Sequence, residues 1–473
     1  MLIESISGVR GTIGDSLQPA HIVQYASALG SYLQSKGTVI IGRDSRPSGE
    51  AIVRIFSATL QWMGMDVIHI GIVPTPTVQL LTEKKNADAG VAITASHNPF
   101  PWNGIKYIDR TGLFMNADQV RKIMSLKDLT HTSYKKSGEF GSYRDDETAL
   151  EYHIDNILEI PYIQVDRIRK KQFRVVVDAV NGGGSLALPA LLKALGCDVI
   201  EIHCTPDGYF PHTPEPLPEN LKDLMDAVVK YKAHLGMAVD PDADRLAIVD
   251  EGGRYLSEEY TLVMAVKTVL SKTNRKNPLV VTNLSTTLAV DKVTQHFGGS
   301  ILRTAIGEIN VSATMKAENA VIGGEGNGGV ILPDSHLGRD SLVGAALILQ
   351  LLTDENKPLS DIFASLPQYR MSKKKVDIGH NDPDAIIEIL KKRYAQKETD
   401  TTDGLKILDQ DRWVHLRKSN TEPILRVYSE APTLEEAESL GEAMIGEVKR
   451  ELKGMHSDTT THGNPLGDRR ESL

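Results

Sequence analysis

Thr94-Ala95-Ser96-His97-Asn98-Pro99 is the stretch from which the fold is read. The apolar run 89–93 precedes it and reads as a short buried strand. A loop containing Pro and Gly follows, ending in Asn103-Gly104-Ile105-Lys106. A serine at the end of a strand, beside a histidine and stopped by a proline, is presented rather than packed. Ser, His, Asn and Pro are also ordinary turn residues, so the role of Ser96 has to be read from its company elsewhere in the chain.

Outward from this point, strand-like and helix-like segments alternate. Helix-like residues 19–34 lead to a strand at 38–41 and to the loop Gly42-Arg43-Asp44-Ser45-Arg46-Pro47. Residues 49–63 are helix-like, 66–70 strand-like, and a turn at 71–76 leads to another helix and the Ser96 strand. This alternation predicts an α/β fold with a mainly parallel sheet, helices on both faces, and sites in the loops after the strands.

After a charged connection with a helix expected over 145–158, a second α/β unit starts at 173–178. It continues through Asn181-Gly182-Gly183-Gly184 and ends at strands 235–239 and 246–249 around Asp240-Pro241-Asp242-Ala243-Asp244-Arg245. Five prolines between Pro206 and Pro218 exclude regular structure there. A third unit runs from near Gly252 through Gly307-Glu308 and Glu325-Gly326-Asn327-Gly328-Gly329 to a helix at 342–352. Beyond Pro367 a basic run, Lys373-Lys374-Lys375, precedes a helix at 383–394, strands near 405–408 and 413–416, and a helix at 434–452, which read as a smaller α+β domain. The polar tail from His456 to Leu473 is expected to be disordered.

With 473 residues the chain exceeds one compact core, and length suggests roughly three or four domains. A hydrophobic content of 41% with 24% charged residues describes a globular protein. The formal charge of -9 argues against a nucleic-acid partner but leaves room for a local basic cleft around an anionic substrate. Two cysteines, Cys197 and Cys204, form neither a disulfide framework nor a metal pattern, which fits a reducing compartment. With no signal peptide and no apolar stretch long enough to span a bilayer, the expectation is a cytoplasmic protein without a membrane partner.

Asp240, Asp242 and Asp244 alternate with Pro241 and Ala243, so in an extended loop three carboxylates face one side. Hard oxygen donors in that number suit Mg²⁺ or Ca²⁺. An exposed acidic turn is the plain alternative. An EF-hand is excluded by Arg245 where that loop needs glycine and by the strand that follows. Arg417-Lys418-Ser419-Asn420-Thr421-Glu422-Pro423, with Arg426 beyond, has a phosphate-binding composition. Glu325 and Asn327 offer a carboxylate and an amide on a backbone able to approach a sugar. A dinucleotide fingerprint at Gly182 fails on spacing, because residues 178–181 separate the strand from the first glycine.

The Ser96 stretch, Asp240 to Arg245, Glu325 to Gly329 and Arg417 to Pro423, in this order along the chain, resemble the α-D-phosphohexomutase superfamily, over nearly the whole chain to about Leu452. The resemblance implies three related mixed-sheet α/β domains, at 1–148, 149–251 and 252–367, and a smaller α+β domain at 368–455, around a central cleft. It implies that Ser96 carries a phosphoryl group and that Asp240, Asp242, Asp244 and a phosphoserine oxygen hold one Mg²⁺ per chain. Arg10 and Arg245 would flank the phosphoserine, and His97 and Lys106 would lie near the reacting hydroxyl. Gly307, Glu325 and Asn327 would meet the sugar, while Arg417, Ser419, Asn420, Thr421 and Arg426 would grip the phosphate not being transferred. A hexose phosphate substrate, a hexose 1,6-bisphosphate activator and intermediate, and a monomer or homodimer follow. Many members carry Ser and His where this chain has Asn327 and Gly329, so Lys106 or His336 is expected to serve as the base. The Glu-Gly-Asn-Gly-Gly loop most resembles the phosphoglucosamine mutases. Relaxed activity on glucose and mannose phosphates is the close alternative, and a sugar-phosphate sensor without turnover is the alternative of a different class.

Overall fold

A computed structural model describes residues 2–6, 8–129, 132–419 and 424–460. The chain divides into two compact units after Pro367.

The first unit holds three sheets. In the first, β1 (Ile3–Ser5), β2 (Gly8–Thr12), β3 (Thr38–Arg43), β4 (Asp66–Ile72), β5 (Ala89–Ile93), β6 (Trp102–Asp109) and β7 (Tyr143–Asp145) lie in the order β1-β2-β6-β5-β3-β4-β7. Strands β5, β3, β4 and β7 are parallel; β6, β2 and β1 add to the β5 edge antiparallel. The second sheet comprises β8 (Arg174–Asp178), β9 (Asp198–Ile202), β10 (Leu235–Val239) and β11 (Leu246–Asp250), ordered β11-β10-β8-β9. The third comprises β12 (Leu279–Asn283), β13 (Ser300–Thr304), β14 (Ile322–Glu325), β15 (Gly329–Leu332) and β16 (His336–Arg339), ordered β13-β12-β14-β15-β16.

All three share one device. A buried strand that pairs in parallel on one side turns back into an antiparallel partner on the other, as β5 into β6, β10 into β11 and β14 into β15. Every residue of β5 and of β10 is buried, as expected of strands covered on both faces. The Ser96 loop, the three-aspartate loop and the Gly326–Gly328 turn occupy this same reversal in their respective sheets. The helix Ser341–Glu355 packs against the helix Glu258–Leu270. Asp340 caps it, its Oδ1 accepting from the Leu342 and Val343 amides at 2.8 and 3.3 Å.

The second unit is an antiparallel sheet of β17 (Arg370–Asp377), β18 (Thr399–Asp400), β19 (Leu405–Asp409), β20 (Arg412–Lys418) and β21 (Ile424–Ala431), ordered β17-β21-β20-β19-β18. The helices Pro383–Arg393 and Leu434–Thr460 pack on it.

Three expectations change. The segment read as a loop ending at Lys106 is strand β6. Asn103 and Gly104 resemble a turn, but Gly104 is there for close approach: a Cβ would stand 2.4 Å from the Val9 carbonyl oxygen and 2.8 Å from that of Thr94. The connecting helix begins at Ala149 rather than Asp145, because residues 143–145 pair with β4. The last helix runs on to Thr460, into the stretch expected to be disordered, since no proline interrupts it before Pro465. The rest of that tail lies outside the described residues. Among the described residues no helix is long and apolar enough to cross a membrane.

Candidate active site

Ser96 sits at the β5 reversal with φ +50°, an unfavourable conformation for a residue with a Cβ. Its amide donates to Thr94 Oγ1 at 2.9 Å. The buried Arg46 holds the loop from outside: Nη2 donates to the carbonyls of Ser96 at 2.8 Å and Asn98 at 2.5 Å, while Nη1 pairs with Asp44. Arg10, on β2, donates from Nη1 to Asn98 Oδ1 at 3.2 Å. A guanidinium on a backbone carbonyl pair fixes a loop without using its side chains, which leaves Ser96 Oγ available.

That oxygen lies 3.4 Å from Asp240 Oδ2 and 3.4 Å from His97 Nδ1. Asp240, Asp242 and Asp244 are all fully buried and close enough together to hold a metal ion. One oxygen of each is tied down by the protein. Asp240 Oδ1 accepts from the Arg245 amide at 3.3 Å. Asp242 Oδ2 accepts from Thr75 Oγ1 at 2.9 Å and Lys106 Nζ at 2.6 Å. Asp244 Oδ2 accepts from Arg339 Nη2 at 2.5 Å. Of the remaining oxygens, Asp242 Oδ1 and Asp244 Oδ1 are buried with no hydrogen-bond partner. Burial and the two neighbouring carboxylates push Asp240 well above the ordinary carboxylate range. Burial would do the same to Asp242, but the Lys106 ammonium holds it below that range. Unsatisfied buried carboxylate oxygens beside a serine hydroxyl fit a hard divalent cation.

Arg245 leans over the group, its Nε 3.9 Å from Asp240 Oδ2 and 3.7 Å from Asp244 Oδ1, and that Nε is a buried donor with no hydrogen-bond partner. His97 is pulled down to about 3 by burial and by the nearby Arg245 and Arg10 guanidiniums, so it is neutral near pH 7.

The residues from Glu325 to Gly329 join this cluster through a residue that sequence reasoning missed. Arg339, at the end of β16, donates to Asp244, to Glu325 Oε2 at 2.7 Å and to Glu308 Oε2 at 3.0 Å. Glu325 is buried, and its Oε1 also accepts from Asn283 Nδ2 at 2.8 Å and from the Gly307 amide at 3.1 Å. Burial raises the Glu308 carboxyl above its ordinary range despite Arg339. Gln79 donates to Glu308 Oε1 at 3.1 Å. Asn327 is the less buried member, its Oδ1 accepting from the Gly329 amide at 3.2 Å. A side chain at Gly329 would displace Arg339 from its present place, because a Cβ would stand 2.3 Å from Arg339 Cδ.

His336 is not a base candidate. Its Nδ1 accepts from the Gly338 amide at 3.0 Å and its Nε2 faces Asp340 Oδ2 at 3.1 Å, so both nitrogens are used internally.

In the second unit Arg417 and Arg426 are direct cross-strand partners, and Lys375 is the partner of Arg426 on its other side. Directly opposed residues share a face of the sheet, so three cations stand in a row, which is unfavourable without an anion. Both arginine Nε atoms are buried without a hydrogen-bond partner among the described residues. The Ser419 amide donates to the Ile424 carbonyl at 3.1 Å. Asn420 and Thr421 lie outside the described residues. Sequence reading noted the basic run at Lys373 to Lys375 without linking it to Arg417.

Comparisons with known families cover most of the chain. Residues 3–131, 151–253 and 257–369 match the alpha/beta/alpha domains I, II and III of phosphoglucomutase/phosphomannomutase, and residues 371–447 match its C-terminal domain. A relative from Methanopyrus kandleri, described as a probable phosphoglucosamine mutase, is 37% identical over 94% of this chain and 97% of its own. The chain belongs to the phosphoglucomutase/phosphomannomutase family. It is a phosphohexomutase, an intramolecular phosphotransferase of the isomerase class. A relative from Thermococcus kodakarensis, described as a phosphoglucomutase/phosphomannomutase, is 36% identical over 94% of this chain and 98% of its own. A solved structure of a putative phosphomannomutase from Thermus thermophilus shares the fold at a TM-score of 0.80, with 24% identity over 96% of this chain and 99% of that one.

Proposed function

We propose that this phosphohexomutase interconverts glucosamine 6-phosphate and glucosamine 1-phosphate through a phosphorylated Ser96. The observation that carries the chemistry is the cluster of three buried aspartates, two of them with an unsatisfied oxygen, with Ser96 Oγ 3.4 Å from Asp240 Oδ2. The sugar assignment rests on the Glu325 to Gly329 loop and on relatives such as that of Methanopyrus kandleri.

In the first half-reaction the bond between Ser96 Oγ and phosphorus breaks as a bond from a sugar hydroxyl to phosphorus forms, giving a hexose 1,6-bisphosphate. The bisphosphate turns over, and the other phosphate returns to Ser96. Asp240, Asp242 and Asp244, with a phosphoserine oxygen, would hold Mg²⁺, which when bound withdraws charge from the phosphoryl group. Arg245 and Arg10 stabilise its equatorial oxygens. Lys106 Nζ, an ammonium paired with Asp242, gives a proton to the leaving oxygen and takes back that of the attacking hydroxyl. Neutral His97 orients Ser96 Oγ. Gly307, Glu325 and Asn327 shape the sugar subsite. Arg417, Ser419, Asn420, Thr421 and Arg426 grip the phosphate not in transfer. The four segments 1–148, 149–251, 252–367 and 368–455 then each supply one loop. The reading takes the enzyme as cytoplasmic, acting as a monomer or homodimer. The family relative described as a phosphoglucomutase/phosphomannomutase favours a second reading, relaxed use of glucose and mannose phosphates.

The test is kcat/KM on glucosamine, glucose and mannose phosphates with Mg²⁺ and a hexose bisphosphate, beside Ser96→Ala. A lead of about tenfold for glucosamine phosphate, roughly 1.4 kcal/mol of transition-state preference, supports the assignment. A lead for glucose or mannose phosphate refutes the sugar while keeping the chemistry. Mg²⁺ binding with no turnover and no phosphate on Ser96 by intact mass would indicate a sensor instead. An unchanged rate in Lys106→Ala removes Lys106 from proton transfer.

A further inference from the structure

Two histidine–aspartate clusters stand apart from the three-aspartate loop. In one, His153, His336 and Asp340, every ring nitrogen has a compatible partner. His336 Nδ1 accepts from the Gly338 amide, so its Nε2 carries the proton that Asp340 receives. His153 places Nε2 2.8 Å from Asp340 Oδ2 and Nδ1 2.8 Å from the Thr77 hydroxyl, which can donate to it. Two neutral rings satisfy this cluster, and nothing there calls for a cation.

The other cluster differs. Asp178, buried at the end of β8, places Oδ2 3.1 Å from His203 Nδ1 and 3.1 Å from His212 Nε2. His212 Nδ1 lies 2.9 Å from the Thr213 carbonyl, which can only accept, so the ring proton sits on Nδ1. Nε2 of a neutral His212 then turns a lone pair towards a carboxylate. His203 stands between two carboxylates, with Nε2 3.5 Å from Asp223 Oδ2. Neither neutral ring can satisfy both of its neighbours: each needs a second ring proton, or one cation shared by the two rings and Asp178 takes the place of both protons.

We propose that Asp178, His203 and His212 form a binding site for a borderline divalent transition-metal cation of the Zn²⁺ class. Mixed imidazole and carboxylate donors select such ions over Mg²⁺. At ligand distances of about 2.0–2.1 Å, the edge of a tetrahedral zinc site is about 3.3–3.4 Å, and the two nitrogen–oxygen separations here are both 3.1 Å. The outer nitrogen of His212 is already held by a backbone carbonyl, and that of His203 stands 3.5 Å from Asp223, within reach of the outer-shell contact that a zinc site uses. Three protein donors leave a fourth position for water.

The site ties down the proline-rich loop. The Asn181 amide donates to the His203 carbonyl at 2.6 Å, and Asn181 Nδ2 donates to the Tyr209 carbonyl at 3.0 Å. Phe210 in the same loop lies 4.9 Å under the guanidinium of Arg46, the residue that grips the Ser96 loop. A cation at His203 and His212 therefore braces the outside of the Ser96 clamp without entering the transfer chemistry.

The test uses the untagged full chain, stripped with chelator and desalted, then titrated with Zn²⁺, and with Co²⁺ as a spectroscopic probe, in excess Mg²⁺ to saturate the aspartate loop. The expected result is one equivalent of Zn²⁺ retained per chain, with Co²⁺ showing intense tetrahedral d–d bands. His203→Gln/His212→Gln loses that equivalent with its far-UV circular dichroism intact. Asp223→Asn, altering only the outer shell, weakens Zn²⁺ by about tenfold or more. Wild-type protein that retains no Zn²⁺ above the Mg²⁺-competed background overturns the proposal whatever the variants do. So does a folded double variant that keeps the equivalent.

Discussion

Removing Arg339 is the sharpest test of how this site is held. Its guanidinium joins three buried carboxylates, Asp244 in a loop, Glu308 at a helix start and Glu325 at the end of β14. Arg339→Met keeps the stem and deletes the charge. Breaking one buried ion pair costs about 3–5 kcal/mol. Three such costs do not simply add, because a stranded carboxyl can take a proton instead of staying charged. Glu308 is the one to do so, since burial already raises it. The expected loss for the first unit is therefore about 3–5 kcal/mol, near the cost of one pair. Trp413→Phe removes the second unit's tryptophan and leaves Trp62 and Trp102 to report on the first unit in urea unfolding. In that background Arg339→Met should lower the midpoint, and adding Glu308→Gln should recover about 1–3 kcal/mol, the range for residues in one network. Mg²⁺ should also narrow the deficit, because a cation on Asp244 replaces part of the lost charge. A loss below about 1 kcal/mol, the level of an exposed pair, would refute the hub. Additive losses in Arg339→Met and Glu308→Gln would refute their coupling.

Other consequences are separable. Arg46→Lys keeps a cation but loses the fork that spans the Ser96 and Asn98 carbonyls, so kcat should fall by about a hundredfold with KM little changed; an unchanged kcat would mean that Ser96 holds φ +50° without the clamp. His415, buried in the second unit, is lowered to about 4 by burial, from an ordinary value near 6.5. The unfolded chain takes up that proton first, so stability is full above about pH 6.5 and falls by about 3 kcal/mol as pH drops to about 4. In a Trp62→Phe/Trp102→Phe background, urea unfolding followed at Trp413 should show this slope and lose it when His415→Gln is added; the same slope in both would assign it elsewhere. Lys375→Ala should raise KM for the sugar phosphate by about tenfold or more with kcat unchanged, as expected for a lost charged hydrogen bond. Lys374, the next residue on β17, pairs with Glu442 and serves as the control, and equal effects of the two would remove Lys375 from the phosphate grip.

The parts of this protein legible in sequence are those in which local pattern and local structure coincide. The apolar runs of β5 and β10 are short, uninterrupted and bounded by turn residues, so their ends, and with them Ser96 and Asp240, could be placed from sequence. Gly104 misled because glycine signals both a turn and a close approach of backbones, and only the neighbouring strands distinguish the two. Arg339 left no local trace. Its partners lie 14, 31 and 95 residues away, and an arginine between a strand and a capping aspartate looks like an ordinary surface residue. Gln79 and Thr75, on the helix Thr75–Lys84, are silent for the same reason. Arg417 and Arg426 were selected by composition, but their direct opposition, and the place of Lys375 beside them, depend on strand register. His336 was chosen as a base by type and proximity in sequence, and the structure spends both its nitrogens on Asp340 and Gly338.

The way the three aspartates are tied shows why one α/β unit could not make this site alone. A carboxylate free to rotate would turn its lone pairs away from its neighbours, and three of them in one buried space would separate. Here each is prevented from doing so by a donor on its outer oxygen. Lys106 and Thr75, from the first sheet and the helix after β4, fix Asp242. Arg339, from the third sheet, fixes Asp244. The Arg245 amide, in the second sheet's own loop, fixes Asp240. The repulsion among the three is thereby balanced by ion pairs at Asp242 and Asp244 and eased by the raised affinity of Asp240 for a proton, instead of being relieved by motion. The three aspartates would hold a divalent ion with little rearrangement, and Ser96, held at positive φ beside Arg46, keeps its Oγ 3.4 Å from Asp240 Oδ2. Such preorganisation is what phosphoryl transfer asks of a protein, since the work lies in placing charge before the reaction begins.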